Sequence, residues 1–332
     1  MAFGSNDEEE EEEPIFTDDE VEKMIERGRE KESSNICAGI YGEDGVGKSI
    51  LEGTLVDEDG KLKPIEEIDG NVYMLNKNNE FERQPGSGNH TDTINEIIDV
   101  ELETGIEISM SKDHKVYTPF GWKEIQNLME GDFVACPRKI PHKGEKCISK
   151  EEAYLIGALL GDGNFSSKDK VRFFNYNREI VDKVKKCAES IGLEMVKWAD
   201  SGTYSFKTLN QVKEWFDEIG MYWRKSVNKQ FPDIIRDIDN ELLTHLISGL
   251  IDTDGYIENE RDAICISTSS KRMADEIKHY LLRLGILATK TFRGTYKENN
   301  YRICVTGKYA EKLSKRLNTV KNIEIKEKER NP

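Results

Sequence analysis

The sequence predicts an α+β chain, in which a strand- and turn-rich segment precedes a duplicated helix-and-strand body. Two near-copies of one pattern carry the second half of that prediction. Leu155-Ile156-Gly157-Ala158-Leu159-Leu160-Gly161-Asp162-Gly163 and Ile247-Ser248-Gly249-Leu250-Ile251-Asp252-Thr253-Asp254-Gly255 lie 92 residues apart. The flanks repeat at the same offset. Val171–Phe174 and Ala263–Ser267 read as strands. Ile180–Val184 and Met273–Ile277 open amphipathic helices that close at Gly192 and Gly285. A repeat of roughly ninety residues is long enough to bury a core. Residues 49–145 have no such helices. Their apolar runs are short and separated by turn residues, which predicts a mostly-β unit.

Taken in order, residues 1–20 form an acidic leader with Glu8 to Glu13 consecutive, a run that repels itself and predicts disorder. Residues 21–32 fit a short charged helix. Ile36–Tyr41 reads as a strand running into Gly42-Glu43-Asp44-Gly45-Val46-Gly47-Lys48-Ser49, which matches the phosphate-binding pattern GxxxxGK[ST]. Such a loop must open a helix whose amides face the phosphates. Leu51–Val56 instead reads as a strand, followed by an acidic turn, so the loop looks interrupted. Further strands are expected at Asn71–Leu75, Ile94–Glu103, Glu107–Ser109, Lys115–Tyr117 and Gly131–Val134.

Net charge is −16 over 332 residues, and it is unevenly placed. Residues 1–48 carry −11, residues 49–150 carry −8, and residues 151–332 carry +3. The duplicated part is the only net-basic part. Its bases concentrate late, at Lys271, Arg272, Lys278, Arg283, Lys290, Arg293, Lys297, Arg302 and Lys308. That favours a local basic saddle for a polyanion. The six cysteines have no metal-ligand spacing and fit reduced thiols in a cytoplasm. No apolar run reaches a membrane-spanning length, and no secretory signal opens the chain.

Each motif is apolar all round and ends in an acid followed by glycine. It reads as a buried helix stopped by a left-handed glycine. The acid then sits at a helix C-terminus, where the dipole repels it unless something positive is near. Packing the two helices together would join Asp162 and Asp254, with Gly157 and Gly249 allowing close approach. These paired motifs resemble the signature of LAGLIDADG (DOD-type) homing endonucleases, over about residues 151–330. The resemblance implies a pseudo-two-fold αββαββα domain with repeats at about 151–240 and 243–332. It implies a monomer that cuts double-stranded DNA with two or more Mg2+ ions. Asp162 and Asp254 would be the metal ligands and catalytic acids, because phosphodiester hydrolysis needs an activated water and a neutralised leaving oxygen. Lys229, in Lys229-Gln230-Phe231-Pro232, resembles the family's KxxP lysine, which polarises the attacking water; the alternative is a loop lysine. Lys321 is one candidate among several for its counterpart. Asp252 has no counterpart acid and reads as secondary or structural. DNA contacts would come from strands beside the motif helices: Arg172, Asn175, Tyr204, Lys207, Ser267, Thr291, Arg293, Tyr301 and Arg302.

Residues 49–145 resemble the Hint-fold splicing domain of inteins. The resemblance rests on Leu51–Val56, Ser111-Lys112-Asp113-His114 (where the family has TxxH, with Ser for Thr) and Gly131-Asp132. It implies an intein carrying an endonuclease, inserted in the P-loop of an ATPase whose first 48 residues are the upstream flank. Ser49 would attack the Lys48 carbonyl, and His114 would assist the departing amine. In the alternative, Ser49 is only the P-loop serine. The C-terminal splicing motifs are missing, since Asn331 is followed by Pro332. A C-terminal intein fragment acting in trans is one expectation and a truncated product the other. Two rival functions remain at the sequence level: a nucleic-acid-binding relative that no longer cuts, and a P-loop ATPase fragment.

Overall fold

The structure, a computed structural model, describes residues 50–75, 80–86, 96–198, 202–258, 260–295, 299–323 and 325. The acidic leader, the P-loop pattern, Ser49, Lys297 and the C-terminal Asn331-Pro332 lie outside the described residues.

The N-terminal part is built of short antiparallel strands. β1 (Leu55–Glu58), β2 (Lys61–Pro64), β3 (Asn71–Leu75) and β4 (Phe81–Pro85) form a sheet in the order β2-β1-β3-β4. β5 (Ile97–Glu101) pairs with β6 (Glu107–Ser111), and β7 (Lys115–Thr118) with β8 (Gly121–Glu124). A small core of Met110, Val116, Ile125 and Val134 holds these hairpins together. Two expected strands differ. Leu51–Val56 is interrupted by a turn at Glu52-Gly53, and Gly131–Val134 is not a strand. In the first case Gly53 takes φ 84°, a left-handed value that a continuous strand does not have.

The C-terminal part repeats one path twice. The first pass is α1 (Lys150–Asp162), β9 (Gly163–Ser167), β10 (Lys170–Phe174), α2 (Arg178–Ser190), β11 (Met195–Lys197), β12 (Thr203–Phe206) and α3 (Leu209–Glu218). The second is α4 (Asn240–Asp254), β13 (Gly255–Glu258), β14 (Ala263–Thr268), α5 (Lys271–Arg283), β15 (Thr289–Phe292), β16 (Tyr301–Val305) and α6 (Gly307–Ser314). Both passes read αββαββα. Their sheets have equivalent orders, β11-β12-β10-β9 and β13-β14-β16-β15.

Among the described residues, side-chain oxygens start the four longest helices. Ser149, Asn177, Asp239 and Ser270 each accept from an amide of the first turn, a contribution of about 1 kcal/mol apiece. Apolar residues from α1, α4 and the inner faces of both sheets then fill one large core. Ala153 to Leu160 are all buried, and burying each large aliphatic side chain contributes roughly 1.5–3 kcal/mol.

The basic residues of α5 do not face outward as a saddle. Lys271 pairs with Glu107 at 2.6 Å, and Lys278 donates to the Thr104 carbonyl at 2.6 Å. His279 meets Asp57 at 2.6 Å. Arg272 donates to the Leu62 carbonyl. The fully buried Arg283 donates to the carbonyls of Gly60 (3.3 Å), Ile235 (2.9 Å) and Ile238 (3.0 Å). Lys290 pairs with Asp275 at 2.6 Å. Among the described residues, most of these bases are matched internally by acids and carbonyls, many of them in the N-terminal strands, whereas Arg293 and Lys308 are exposed. Charge summed along sequence could not separate this use from a polyanion site.

Candidate active site

Helices α1 and α4 pack side by side through glycines. A methyl group on Gly157 would strike the Leu246 carbonyl, and one on Gly249 would strike the Tyr154 carbonyl. A third small residue, Gly161, faces Thr253 and Asp254 in the same way. The close crossing brings the C-terminal ends of the two helices together, and with them Asp162 and Asp254.

The terminal glycines act differently from the sequence expectation. Gly163 (φ −78°, ψ 143°) and Gly255 (φ −90°, ψ 155°) are extended, not left-handed. Each leads straight into a strand. A side chain there would collide with the helix carbonyl four residues back, Leu159 or Ile251. Close approach requires these glycines; positive φ does not.

Both acids are half-buried and their carboxyl pKa values are raised. Desolvation is the main cause for each. Asp254 is pushed up to about 6, with neighbouring Asp162 adding repulsion and Lys229 and Lys321 opposing the shift. Asn175 donates Nδ2–H to Asp162 Oδ2 at 2.6 Å. Asn175 therefore serves the acid site and does not stand free on the recognition strands.

The positive charge demanded at each helix end is supplied by a lysine. Lys229 Nζ donates to the carbonyls of Leu160 and Gly161, both at 2.7 Å. Lys321 Nζ donates to Ile251 (3.1 Å), Thr253 (3.4 Å) and Gly255 (2.6 Å). Each ammonium occupies the negative end of one motif helix. Burial lowers both lysine pKa values, that of Lys229 to about 8. Lys229 and Lys321 are 92 residues apart, the spacing of the motifs themselves. That offset would have singled out Lys321 among the sequence candidates.

Asp252 is fully buried. It accepts from Tyr154 Oη (2.6 Å), Val320 N (2.8 Å) and Lys321 N (2.9 Å), and so fixes the backbone that presents Lys321. Among the described residues, no group of three or more His, Cys, Asp or Glu side chains could hold a metal. The oxygens of Asp162 and Asp254 are hard donors whose mutual repulsion a divalent cation would relieve. Mg2+ commonly takes one or two carboxylates and completes its shell with waters and phosphate oxygens, so the pair fits that ion.

The strand candidates divide by register. Arg172 opposes Ser205 on the outer face of the first sheet, and its guanidinium lies 4.8 Å from the Trp198 ring centre. Ser267 and Thr291 each oppose Arg302 on the outer face of the second. Arg302 is tied there to Glu258 (2.6 Å) and to Cys265 Sγ (3.2 Å). Arg293 is exposed just beyond β15, and Lys207 is exposed but paired with Glu194 at 2.8 Å. Tyr204 opposes the fully buried Phe173, and Tyr301 packs against the core, so neither stands on an outer face. The period-2 alternation turns both rings inward.

In the N-terminal part, His114 and Ser111 are buried at the turn joining β6 to β7. Ile50, the neighbour of Ser49, bridges antiparallel to Met110, and Leu51 N donates to the Ser109 carbonyl at 3.0 Å. The chain therefore enters this part beside the strand that leads into Ser111 and His114. His142 bonds to the Ile238 carbonyl at 3.0 Å and is structural.

Residues 241–318 match the LAGLIDADG-like domain family. Protein RecA of Mycobacterium tuberculosis is 28% identical over 268 residues, covering 73% of this chain and 33% of that protein. The replicative DNA helicase DnaB of Rhodothermus marinus is 26% identical over 275 residues, covering 75% and 29%. Glutamine–fructose-6-phosphate aminotransferase of Methanocaldococcus jannaschii is 28% identical over 183 residues, covering 53% and 17%. The chain spans a third or less of the length of these curated relatives. A solved structure of a mesophilic variant of the homing endonuclease I-DmoI aligns with a TM-score of 0.36 at 15% identity, covering 51% of this chain and 94% of that one. Among the described residues, no helix is long and apolar enough to cross a membrane.

Proposed function

We propose that residues 151–332 form a site-specific, metal-dependent double-strand DNA endonuclease, and that residues 49–145 form most of a protein-splicing domain. One observation carries the nuclease reading: Asp162 and Asp254 meet at a glycine-lined helix crossing between two lysines related by the same 92-residue offset. A pseudo-two-fold site of this kind suits a pseudo-two-fold duplex. Each lysine then serves one strand.

Asp162 and Asp254 would hold the Mg2+ ions, which when bound supply Lewis-acid activation of water and phosphate. Asn175 orients the Asp162 carboxylate. Lys229 and Lys321 keep a cation beside the phosphate while their ammonium groups stay anchored on helix carbonyls. A Lys229 pKa of about 8 keeps its proton exchangeable near neutral pH, as a group that polarises water needs. The exposed outer faces bearing Arg172, Thr291 and Arg293 would contact DNA, mostly at phosphates. With magnesium, the purified protein should cut a duplex carrying the host gene rejoined at the Lys48 codon. Failure of that duplex to be cut, with the protein folded, refutes the reading.

The splicing reading is favoured by Ile50 lying against Met110, in the strand that runs into the turn bearing His114. The unlike roles of the matched proteins support it as well. A segment shared with protein RecA, a DNA helicase and an aminotransferase, and filling only part of each, is what an inserted element produces. Ser49 would form an ester with the Lys48 carbonyl, and His114 would give a proton to the leaving amine. Hydroxylamine should then cleave at Lys48–Ser49. A C-terminal intein fragment added in trans should yield a ligated product with a restored P-loop, and Ser49→Ala or His114→Ala should block it.

A further inference from the structure

The segments that present the two lysines are held by different parts of the molecule. Lys321 is presented entirely from within the repeats. Asp252 accepts from the amides of Val320 and Lys321, Ser248 Oγ accepts from Asn318 N at 2.9 Å, and Lys183 Nζ donates to the Asn318 carbonyl at 2.5 Å. Lys229 is presented by α5. The buried Ser270 donates its hydroxyl to the Lys229 carbonyl at 2.6 Å, and the fully buried Glu276 accepts from Phe231 N at 2.8 Å. The second Glu276 oxygen takes the Arg272 Nε–H at 2.8 Å, and Arg272 reaches on to the Leu62 carbonyl in β2. An unbroken line of hydrogen bonds therefore runs from the N-terminal sheet through Arg272 and Glu276 to the backbone of the Lys229 loop. No such line among the described residues reaches Lys321.

Resting on the nuclease reading, we propose that Arg272 and Glu276 are positioning residues for Lys229 alone, so that docking of the N-terminal strands onto α5 governs cleavage of one DNA strand and not the other. Two features make this coupling specific. Glu276 has no solvent to substitute for a lost partner, so an altered Arg272 contact must be taken up by the Phe231 amide. Displacing a loop that sets a group beside the reacting phosphate costs rate without removing any contact to DNA. The two halves then share one chemistry and differ in what holds their lysines.

The test uses the full chain and a supercoiled plasmid carrying the rejoined host gene, with the two strands labelled separately. Wild type should linearise it in the presence of Mg2+. Glu276→Gln and the milder, more solvent-exposed Arg272→Gln should accumulate nicked circles, the same strand being slowed roughly 10- to 100-fold in both. Asp252→Asn should slow the opposite strand. Thermal melts and DNA binding measured with Ca2+ should show each variant folded and binding. Equal slowing of both strands, or none, in folded variants of a wild type that cuts overturns the proposal and leaves the nuclease reading in place. A folded wild type that cuts neither strand overturns both.

Discussion

The two repeats follow one path through space, yet their amphipathic helices live in different surroundings. α2 has an exposed outer face, with Asp182, Lys186, Glu189 and Ser190 in solvent. At the matching positions of α5, Asp275, His279 and Leu282 are half-buried and Arg283 is fully buried, with Glu276 and Lys278 buried beside them. Both helices keep the same apolar stripe toward the shared core. What differs is the polar side, which in α5 is spent on the N-terminal strands. A duplicated fold can thus hold its core positions fixed while one copy's surface becomes an internal interface. Charged residues make that interface here because they meet carbonyls and acids, chiefly Asp57, Gly60, Leu62, Thr104 and Glu107.

The sharpest test of equivalence between repeats lies in the acids. Asp162→Asn and Asp254→Asn should each lower cleavage by roughly 10³-fold or more while DNA binding persists, because each removes a donor for a cation worth several kcal/mol to the reaction. Plasmid cleavage beside a binding assay measures it. Cutting that survives either change would end the symmetric picture.

The stability contrast is next. Arg283 and Ser190 occupy matching helix ends. Arg283→Ala strands the buried carbonyls of Gly60 and Ile235, leaves that of Ile238 to His142 alone, and should cost about 3 kcal/mol or more. Ser190 is exposed, and Ser190→Ala should change stability by less than about 0.5 kcal/mol. Similar losses in urea melts would mean that α5 gains nothing from its buried surroundings.

A pH contrast follows. Burial pushes Glu276 up to about 7 from an unfolded value near 4.5, so folding takes up a proton between those values. Its contribution is therefore full below the unfolded pKa and is lost as pH rises toward 7, a change on the order of 3 kcal/mol at most. Melting wild type and Glu276→Gln from pH 4.5 to 7.5 should show a steeper fall for wild type. Lys183 stands at the matching place in α2, and Lys183→Gln should leave that slope unchanged. Parallel pH profiles for wild type and Glu276→Gln would remove the contrast.

The smallest effect is expected at the outer faces. Arg172→Ala should reduce the salt slope of DNA binding by about 1, whereas Arg302→Ala should change it less, because Arg302 is already paired with Glu258. Equal changes would mean that the Glu258 pairing opens on DNA.

Much of the acid site was legible in the sequence. The motif spacing placed Asp162, Asp254 and the contact glycines, and the same spacing carried over to the lysines. The conformation of Gly163 and Gly255 was not legible, since glycine serves both left-handed turns and close approach. Nor was the role of Asn175, whose amide turns back to Asp162 just past the end of β10. The bases of α5 misled for a different reason: counting charge along a chain does not say which charges meet each other. Tyr204 and Tyr301 depended on strand register, which one residue reverses.

Arg283 lies where three segments meet. Its guanidinium holds the turn after β1 on one side and the 235–238 segment between the repeats on the other. If either side came away, a charge would remain in a cavity without the carbonyls that solvate it. The N-terminal strands and the repeated body should therefore melt as one cooperative unit, giving a single calorimetric transition over residues that the chain itself divides by charge and by repeat.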